Sequence, residues 1–303
     1  MSKKLLTVFT PTYNRAHTLV RTYESLCRQT CDDFEWIIVD DGSTDNTEGV
    51  VSEWVKEAKI PIRYVRKENG GLLSGYNKAL EYIDTELNVC VDSDDYMPVD
   101  AVEIIKEEWN KINDSKIAGI IGLDFSHGDN TPIGGLFSQE GDWHYEEKFY
   151  TVGHICDSKI VCRTDLMKQI APLPTFGEKD FNPIHYYKAI GETYKFRLIN
   201  KCLCMVEYLP DGMMAGLYRQ YRQSPKSNEE TRRILMRSRF VPKKEKYKAS
   251  IHYVSSAIFA KDWRFLSTTP RFWMTLSAIP FGIALNVYIR YKLFKQRKNK
   301  YLV

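Results

Sequence analysis

Two groups of aspartates carry most of the chemistry visible in this chain. One is Asp40, Asp41 and Asp45 in Val39-Asp40-Asp41-Gly42-Ser43-Thr44-Asp45, and the other is Asp92, Asp94 and Asp95 in Val91-Asp92-Ser93-Asp94-Asp95. Each follows a short apolar run of the kind that makes a buried strand. In open α/β sheets, ligands collect just beyond the carboxyl ends of the strands. Carboxylates there suit the hydroxyls and ring nitrogen of a nucleoside, and a hard divalent cation bridging phosphates. Asp-Gly-Ser-Thr-Asp is also good turn chemistry, and Asp92–Asp95 could serve as an acidic cap for a helix opening near Asp100. Three aspartates within four residues repel one another without a cation, which favours a metal site for the second group.

The elements that must hold these groups alternate along the first 125 residues. Leu5–Thr10 is an apolar run ending in Pro11, and Arg15–Gln29 has helical periodicity through Leu19, Tyr23 and Leu26, with Asn14 placed to cap it. Glu35–Asp40, Ile62–Arg66, Leu87–Val91 and Ile117–Leu123 read as further strands, and Thr47–Ala58, Gly75–Ile83 and Asp100–Asn110 as helices. This βαβα order predicts an α/β, Rossmann-like, mostly parallel sheet with helices on both faces. Past Asp124 the pattern lapses into polar, glycine-containing sequence to Val152. Helices are then expected near Thr164–Ile170 and Asn182–Ile190, and a strand over Lys195–Tyr208.

At 303 residues and 43% hydrophobic content, the chain has ample material for a core. Its net charge of +4 hides an asymmetry: residues 1–216 hold 23 Lys+Arg against 35 Asp+Glu, and residues 217–303 hold 20 against 4. The expected division is therefore one globule over 1–216, with halves 1–125 and 126–216, and a basic helical C-terminal extension over 217–303. Within the extension, Phe272–Ile289 is mostly apolar, broken by Pro280 and Gly282, and is followed by Arg290, Lys292, Lys295, Arg297, Lys298 and Lys300 with no acid. An apolar segment flanked by a basic one suits an anionic membrane surface, through residues 272–300. The run is at the short edge of what spans a bilayer, and a helix docked on the globule would read alike. Aromatics sit in the apolar block and not between the charges, so no nucleic-acid partner is expected. Seven cysteines without zinc spacing point to buried free thiols in a reducing compartment. Met1-Ser2-Lys3-Lys4 runs straight into the first strand-like segment, which places the expected catalytic part in the cytoplasm.

Phe9-Thr10-Pro11-Thr12-Tyr13-Asn14-Arg15 and the two aspartate runs together resemble three successive signatures of family 2 glycosyltransferases of the GT-A fold. The likeness is close over residues 4–125 and looser to 216. It implies inverting transfer of a sugar from a nucleotide diphosphate, usually a UDP-sugar, with Mg2+ or Mn2+. On that resemblance Pro11, Thr12 and Tyr13 line the nucleoside pocket, largely through backbone. Asp41 accepts from the uracil N3–H, with Asp40 supporting its loop. Asp92 reaches the ribose and Asp94 the metal, and Asp95 could share the metal. Gly70-Gly71 and Gly75-Tyr76-Asn77 resemble the family's glycine-rich turn before a helix that approaches the diphosphate, which brings Asn77 to the nucleotide. Relatives commonly carry arginine where Tyr76 stands, so Lys78 or Lys67 would have to supply the cation here.

Gly177-Glu178-Lys179-Asp180-Phe181 resembles the acidic pair that begins the family's acceptor-side helix, with Lys179 set between the acids. The general base is therefore Asp180 or Glu178, Asp180 ranking first. His154 and His185 are alternatives as acceptor-binding groups, and Tyr208-Leu209-Pro210-Asp211-Gly212 resembles a turn near the acceptor. The Gln-x-x-Arg-Trp sequence of the family's processive synthases does not occur, so one transfer per encounter is expected. The acceptor implied is a glycan or lipid-linked saccharide of the cell surface, met at the inner face of the cell membrane. Two other functions fit parts of the pattern. One is a sugar-1-phosphate nucleotidyltransferase, against which the absence of a basic glycine-rich loop after the first strand counts. The other is a non-catalytic nucleotide-sugar-binding protein that has lost its base.

Overall fold

In the computed structural model of the chain, the described residues are 3–179, 181–207 and 217–300. They form two compact units, Met1–Pro174 with Tyr186–Glu207, and Thr175–His185 with Tyr208–Val303. Compared with the division expected at 216, the segment Thr175–His185 that carries Glu178 goes with the C-terminal unit.

The first unit is built on strands β1 (Leu6–Thr12), β2 (Phe34–Asp40), β3 (Ile62–Arg66), β4 (Leu87–Cys90), β5 (Ile117–Ser126), β6 (Gly141–His144), β7 (Ser158–Arg163) and β8 (Lys195–Val206). Between them lie helices α1 (Ala16–Cys27), α2 (Thr47–Glu57), α3 (Leu72–Tyr82), α4 (Ala101–Asn110), α5 (Tyr145–Tyr150), α6 (Thr164–Ile170) and α7 (Ile184–Gly191), the last of which begins in the second unit and continues in the first from Tyr186. The eight strands make one sheet in the order β3-β2-β1-β4-β7-β5-β8-β6. Strands β1 to β5 and β8 run one way, and β6 and β7 the other. The parallel strands are continuous apolar runs because both faces are covered, and β1 is buried along its whole length. The core beneath them includes a stack of Trp36, Tyr23 and Trp54, with the Tyr23 and Trp54 rings 4.3 Å apart.

Two strands depart from the expected order. The polar stretch after Asp124 contributes β6, and β7 inserts between β4 and β5, antiparallel to both. Neither has the pattern of a core strand in the sequence: β6 reads Gly-Asp-Trp-His and is half-buried, and β7 carries a buried lysine, Lys159, among its apolar residues. The aspartates nevertheless meet on one edge. Thr12 lies beside Asp40 in the β1–β2 register, and Val91 N donates to Phe9 O, so the ends of β1, β2 and β4 stand side by side.

Helix α3 starts at Gly71, whose φ of 85° is open to glycine without strain. Gly75 then lets α3 lie on β1, since a Cβ at this position would stand 2.9 Å from Pro11 Cβ. Gly75→Val is expected to destabilise the protein by about 1–3 kcal/mol through overpacking, read as a lower urea midpoint; an unchanged midpoint would mean that α3 shifts freely.

The second unit holds α8 (Leu217–Gln223), α9 (Pro225–Arg237), α10 (Lys243–Ala260), α11 (Phe265–Thr268) and α12 (Phe272–Lys300). The apolar run forms a single helix, and α12 passes through Pro280 without ending there. A proline inside a helix removes a hydrogen bond and crowds the preceding turn, and α12 packs on α10 along this stretch. A Cβ at Gly282 would stand 2.5 Å from Val254 Cβ, so glycine there permits close approach, and Asn286 Nδ2 donates to Ser255 O at 3.0 Å. Thr275, Ala278, Asn286 and Ile289 are buried along this stripe, while Trp273, Phe281, Val287 and Phe294 on the rest of α12 are exposed.

Candidate functional site

The first aspartate loop is held by its own carboxylates. Asp40 accepts Ser43 N at 2.7 Å and the Tyr64 hydroxyl at 2.5 Å, which closes the turn and ties it to β3. Burial, and then this bond, push the Tyr64 hydroxyl above its ordinary range. Asp41 N donates to Thr12 O at 2.8 Å, bringing Asp41 beside the Pro11-Thr12-Tyr13 strand end. The Asp41 carboxylate accepts Lys67 Nζ at 2.5 Å, Gly70 N at 2.9 Å and Gly71 N at 2.7 Å. An ionised carboxylate has about four lone-pair positions, so one remains for an imino N–H. Thr12 Oγ1 is buried and has no hydrogen-bond partner among the described residues, and Tyr13 is 48% exposed. A base lying over Tyr13 would find an aromatic face and open polar groups together.

Asn14 clasps the end of β1 to this first aspartate loop. With φ at 54°, it turns its side chain so that Oδ1 accepts Thr44 N at 2.7 Å, while its own N–H donates to Ser43 Oγ at 2.9 Å. Its expected role as a simple helix cap is thereby replaced by a bridge between strand ends. Asp45 answers from the other side by accepting Ala16 N at 3.0 Å and Thr47 N at 3.1 Å. Burial raises the Asp45 carboxyl, but hydrogen bonds from Thr47 and Ala16 outweigh it and hold the group below its usual range.

The groups expected near the diphosphate are differently employed. Asn77 donates to Leu173 O at 2.9 Å and accepts from Leu173 N at 3.2 Å and the Tyr186 hydroxyl at 2.5 Å. Its amide thus holds the Leu173 loop onto α3. Lys67 is committed to Asp41, and Lys78 pairs with Glu81 at 2.6 Å and lies over the Tyr82 ring. Tyr76 is buried, edge-on to Phe9 at 4.9 Å.

The second aspartate loop divides by exposure. Asp92 faces solvent, Asp94 is half-buried and Asp95 is buried. The loop is pinned to α1, where Arg21 donates to Asp94 O at 2.9 Å and Thr22 Oγ1 to Asp95 O at 2.7 Å. Burial, with Asp92 beside it, raises the Asp94 carboxyl above its ordinary range, and Arg15 and Arg21 only partly oppose this. Asp95 points inward to Lys159 Nζ at 3.9 Å, and burial pushes its carboxyl up. Asp124 near the end of β5 joins them: it is buried, its Oδ1 has no partner among the described residues, and burial lifts it to about 6. Burial alone would depress Lys159, but anionic neighbours, including Asp124 and Asp95, hold it protonated.

This buried Asp95–Asp124–Lys159 group is absent from the sequence reading. Asp124 had a signal, since it ends an apolar run just as Asp40 does; Lys159 had none. Among the described residues no group of three His, Cys, Asp or Glu side chains can hold a metal by itself. Asp92 and Asp94 are hard oxygen donors at an open strand end, and Mg2+ and Mn2+ accept few protein ligands when phosphates complete the set. These two residues fit such an ion; Asp95, turned to Lys159, fits it less well.

The acidic pair separates as well. Glu178 Oε1 accepts Lys226 N at 3.1 Å and Oε2 accepts Ser227 N at 2.8 Å, so both oxygens are committed to the start of α9. Asp180 lies outside the described residues, as does the Tyr208–Gly212 turn. His154 is buried against Phe137, with ring centroids 4.7 Å apart, and His185 bonds Thr231 Oγ1 at 2.8 Å, so both pack the interior.

The profile of glycosyl transferase family 2 matches residues 7–169. A chondroitin synthase of Pasteurella multocida is 29% identical over 200 residues, 65% of this chain and 20% of that protein. The putative teichuronic acid biosynthesis glycosyltransferase TuaG of Bacillus subtilis is 36% identical over 102 residues, 33% of this chain and 40% of that protein. The chain thus spans about a fifth of the length of the first of these relatives. In three dimensions it is similar to Staphylococcus aureus TarS 1-349 in complex with UDP-GlcNAc, with TM-score 0.62 at 18% identity, covering 92% of this chain and 80% of that one. The mannosyltransferase PcManGT of Pyrobaculum calidifontis, in complex with GDP-Man and Mn2+, gives TM-score 0.55 at 17% identity, covering 95% and 88%. With its mixed, mostly parallel sheet and its aspartates gathered on one edge, this chain belongs to glycosyl transferase family 2 and has the GT-A fold.

Proposed function

We propose that the chain is a non-processive, inverting glycosyltransferase. It moves a sugar from a nucleotide diphosphate sugar, best a UDP-sugar, to a glycan or lipid-linked saccharide of the cell surface. The observation that carries this reading is the meeting of Asp41, Asp92 and Asp94 at neighbouring strand ends, with one acceptor position open on Asp41. Relatives named as chondroitin synthase, teichoic acid polymerase and teichuronic acid glycosyltransferase support the polysaccharide class. Family membership counts against the nucleotidyltransferase alternative.

In this reading Pro11, Thr12, Tyr13 and Asp41 hold the base, and Asp92 the ribose. A divalent cation at Asp94 and Asp92 would neutralise charge on the departing diphosphate. Asp180 accepts the proton of the acceptor hydroxyl as its oxygen attacks the anomeric carbon, and the C–O bond to UDP breaks on the opposite side. Release of UDP from a panel of nucleotide sugars, with and without Mn2+, tests the function. No UDP release from any donor, together with no thermal shift on adding UDP, would dismiss it.

We further assign α12 to an anionic membrane surface at the cytoplasmic face. Phe272–Lys295 is long and apolar enough to cross a membrane, and 28% of its most apolar window is buried. The stripe docked on α10 favours a helix lying in the interface, because insertion would strip Gly282 and Asn286 from Val254 and Ser255. Each Lys or Arg near an anionic leaflet adds about 1 kcal/mol. Replacing exposed Trp273, Phe281 and Val287 together by serine spares the docked stripe. The variant is expected to lose at least about tenfold in co-sedimentation with anionic vesicles, given apolar burial of about 25 cal/mol per Å2. Equal partitioning of variant and parent at low and high salt would reduce α12 to a packed terminal helix.

A further inference from the structure

We infer that Lys159 is a positioning residue for the metal loop: its buried ammonium holds Asp95 inward, so that Asp95 anchors the loop and only Asp92 and Asp94 are left to the cation. The inference rests on the glycosyltransferase reading above and involves residues of the first unit alone. A lysine is almost never fully buried unless it is paired, because stripping water from an ammonium is costly. Lys159 is 8% exposed, on a strand enclosed by β4 and β5. Its Nζ lies 3.9 Å from Asp95 Oδ2, with Asp124 and Asp92 as further negative neighbours. Asp95 is equally enclosed, at 5% exposure, and its Oδ2 also faces the Cys204 thiol of β8 at 3.9 Å.

The ammonium is itself set in place from the chain before it. Lys148 on α5 is buried, and its Nζ donates to Cys156 O at 2.9 Å and to Ser158 Oγ at 3.1 Å, which fixes the residues that lead into Lys159. The backbone of the metal loop is held as well. Asp95 N donates to Asp92 O at 3.0 Å, and Tyr96 and Met205 exchange both backbone hydrogen bonds, at 3.2 and 2.8 Å. With Thr22 on the Asp95 carbonyl and Arg21 on that of Asp94, the loop is tied to α1 and β8 through its main chain and to β7 through charge. Mg2+ and Mn2+ take few carboxylates from a protein when phosphates complete the shell, so three within four residues exceed the need. Lys159 withdraws the third by pairing it on the inner side. Groups that orient metal ligands without touching the metal commonly carry about 10–100-fold in affinity.

The test reads Mn2+ affinity by calorimetric titration in the presence of UDP, and amide hydrogen exchange at Asp95 and Tyr96, all in the full chain. The variants are Lys159→Met, Asp95→Asn and the two combined. Lys159→Met leaves Asp95 and Asp124 buried without their cation. It is expected to weaken Mn2+ binding about tenfold or more and to speed exchange at both amides. Asp95→Asn keeps an acceptor oxygen for Lys159 and should bind Mn2+ within about threefold of the parent. The double variant has no unmatched carboxylate at position 95 and should recover most of the loss seen in Lys159→Met. Parent-like Mn2+ affinity in Lys159→Met overturns the inference, since a lysine that serves only the fold would lower the melting temperature and leave Kd alone. So does Asp95→Asn binding Mn2+ as poorly as Asp94→Asn, because Asp95 would then be a ligand. Should Lys159→Met not fold, Asp95→Asn and the double variant decide: affinity near the parent in both supports the anchor, and loss in either to the level of Asp94→Asn refutes it. If the parent takes up no Mn2+, the metal reading of Asp94 fails and this inference with it, whereas unchanged exchange in Lys159→Met sinks the anchor alone.

Discussion

Asp94→Asn is expected to lower turnover by about three orders of magnitude, because the diphosphate would depart without its Lewis acid. Asp94 is half-buried beside Asp92, and burial followed by that neighbour raises its carboxyl, with Arg15 and Arg21 opposing. A carboxyl raised in the folded state favours the protonated fold. Its stabilising contribution is present below the ordinary carboxylate range and is lost as pH rises through the folded value. Ionising Asp94 in the metal-free fold therefore carries a cost, which a bound cation would relieve. Two thermal readings follow. Mn2+ should raise the melting temperature of the parent at neutral pH, and Asp94→Asn should melt higher than the metal-free parent while gaining little from Mn2+. Full activity in EDTA, or a nearly normal Asp94→Asn enzyme, would remove Asp94 from the metal.

Asp180→Asn is expected to cut turnover by about a hundredfold or more, the usual loss when a general base is removed. Donor binding should stay intact, because the nucleoside contacts proposed here lie at Thr12, Asp41 and Asp92. Of the two acids read as base candidates, Glu178 has both oxygens engaged by α9, which leaves Asp180 the better candidate. Calorimetric titration with UDP separates the two effects. A variant with normal UDP affinity and little UDP release fits the assignment. One with normal turnover places the base elsewhere or marks the chain as a binding protein only.

Much of the first unit was legible because parallel strands advertise themselves. Strands covered on both faces must be apolar throughout, so the runs ending at Asp40 and Asp92 stood out, and their polar ends had to share an edge. Of the later strands, β8 was read from Lys195 as the structure has it, whereas β6 and β7 were not legible. β7 carries Lys159 into the interior, and that choice makes sense only once Asp95 and Asp124 are seen to surround it. The basic extension was foreseen as helical, and its apolar run forms α12, one helix through Pro280 that packs on α10.

The sequence by itself determined the family, the strand-end aspartates and the split between an acidic front and a basic tail. All three depend on residue type and short spacing, which no tertiary contact can alter. Only the tertiary structure decided what each carboxylate does. It turned Asp92 outward and Asp95 inward to Lys159, gave Asn77 to Leu173 and bound Glu178 to α9. The physical reason is that a carboxylate or amide takes its role from the donors that meet it. Those donors come from segments tens of residues away, brought close by a sheet whose strand order does not follow the chain.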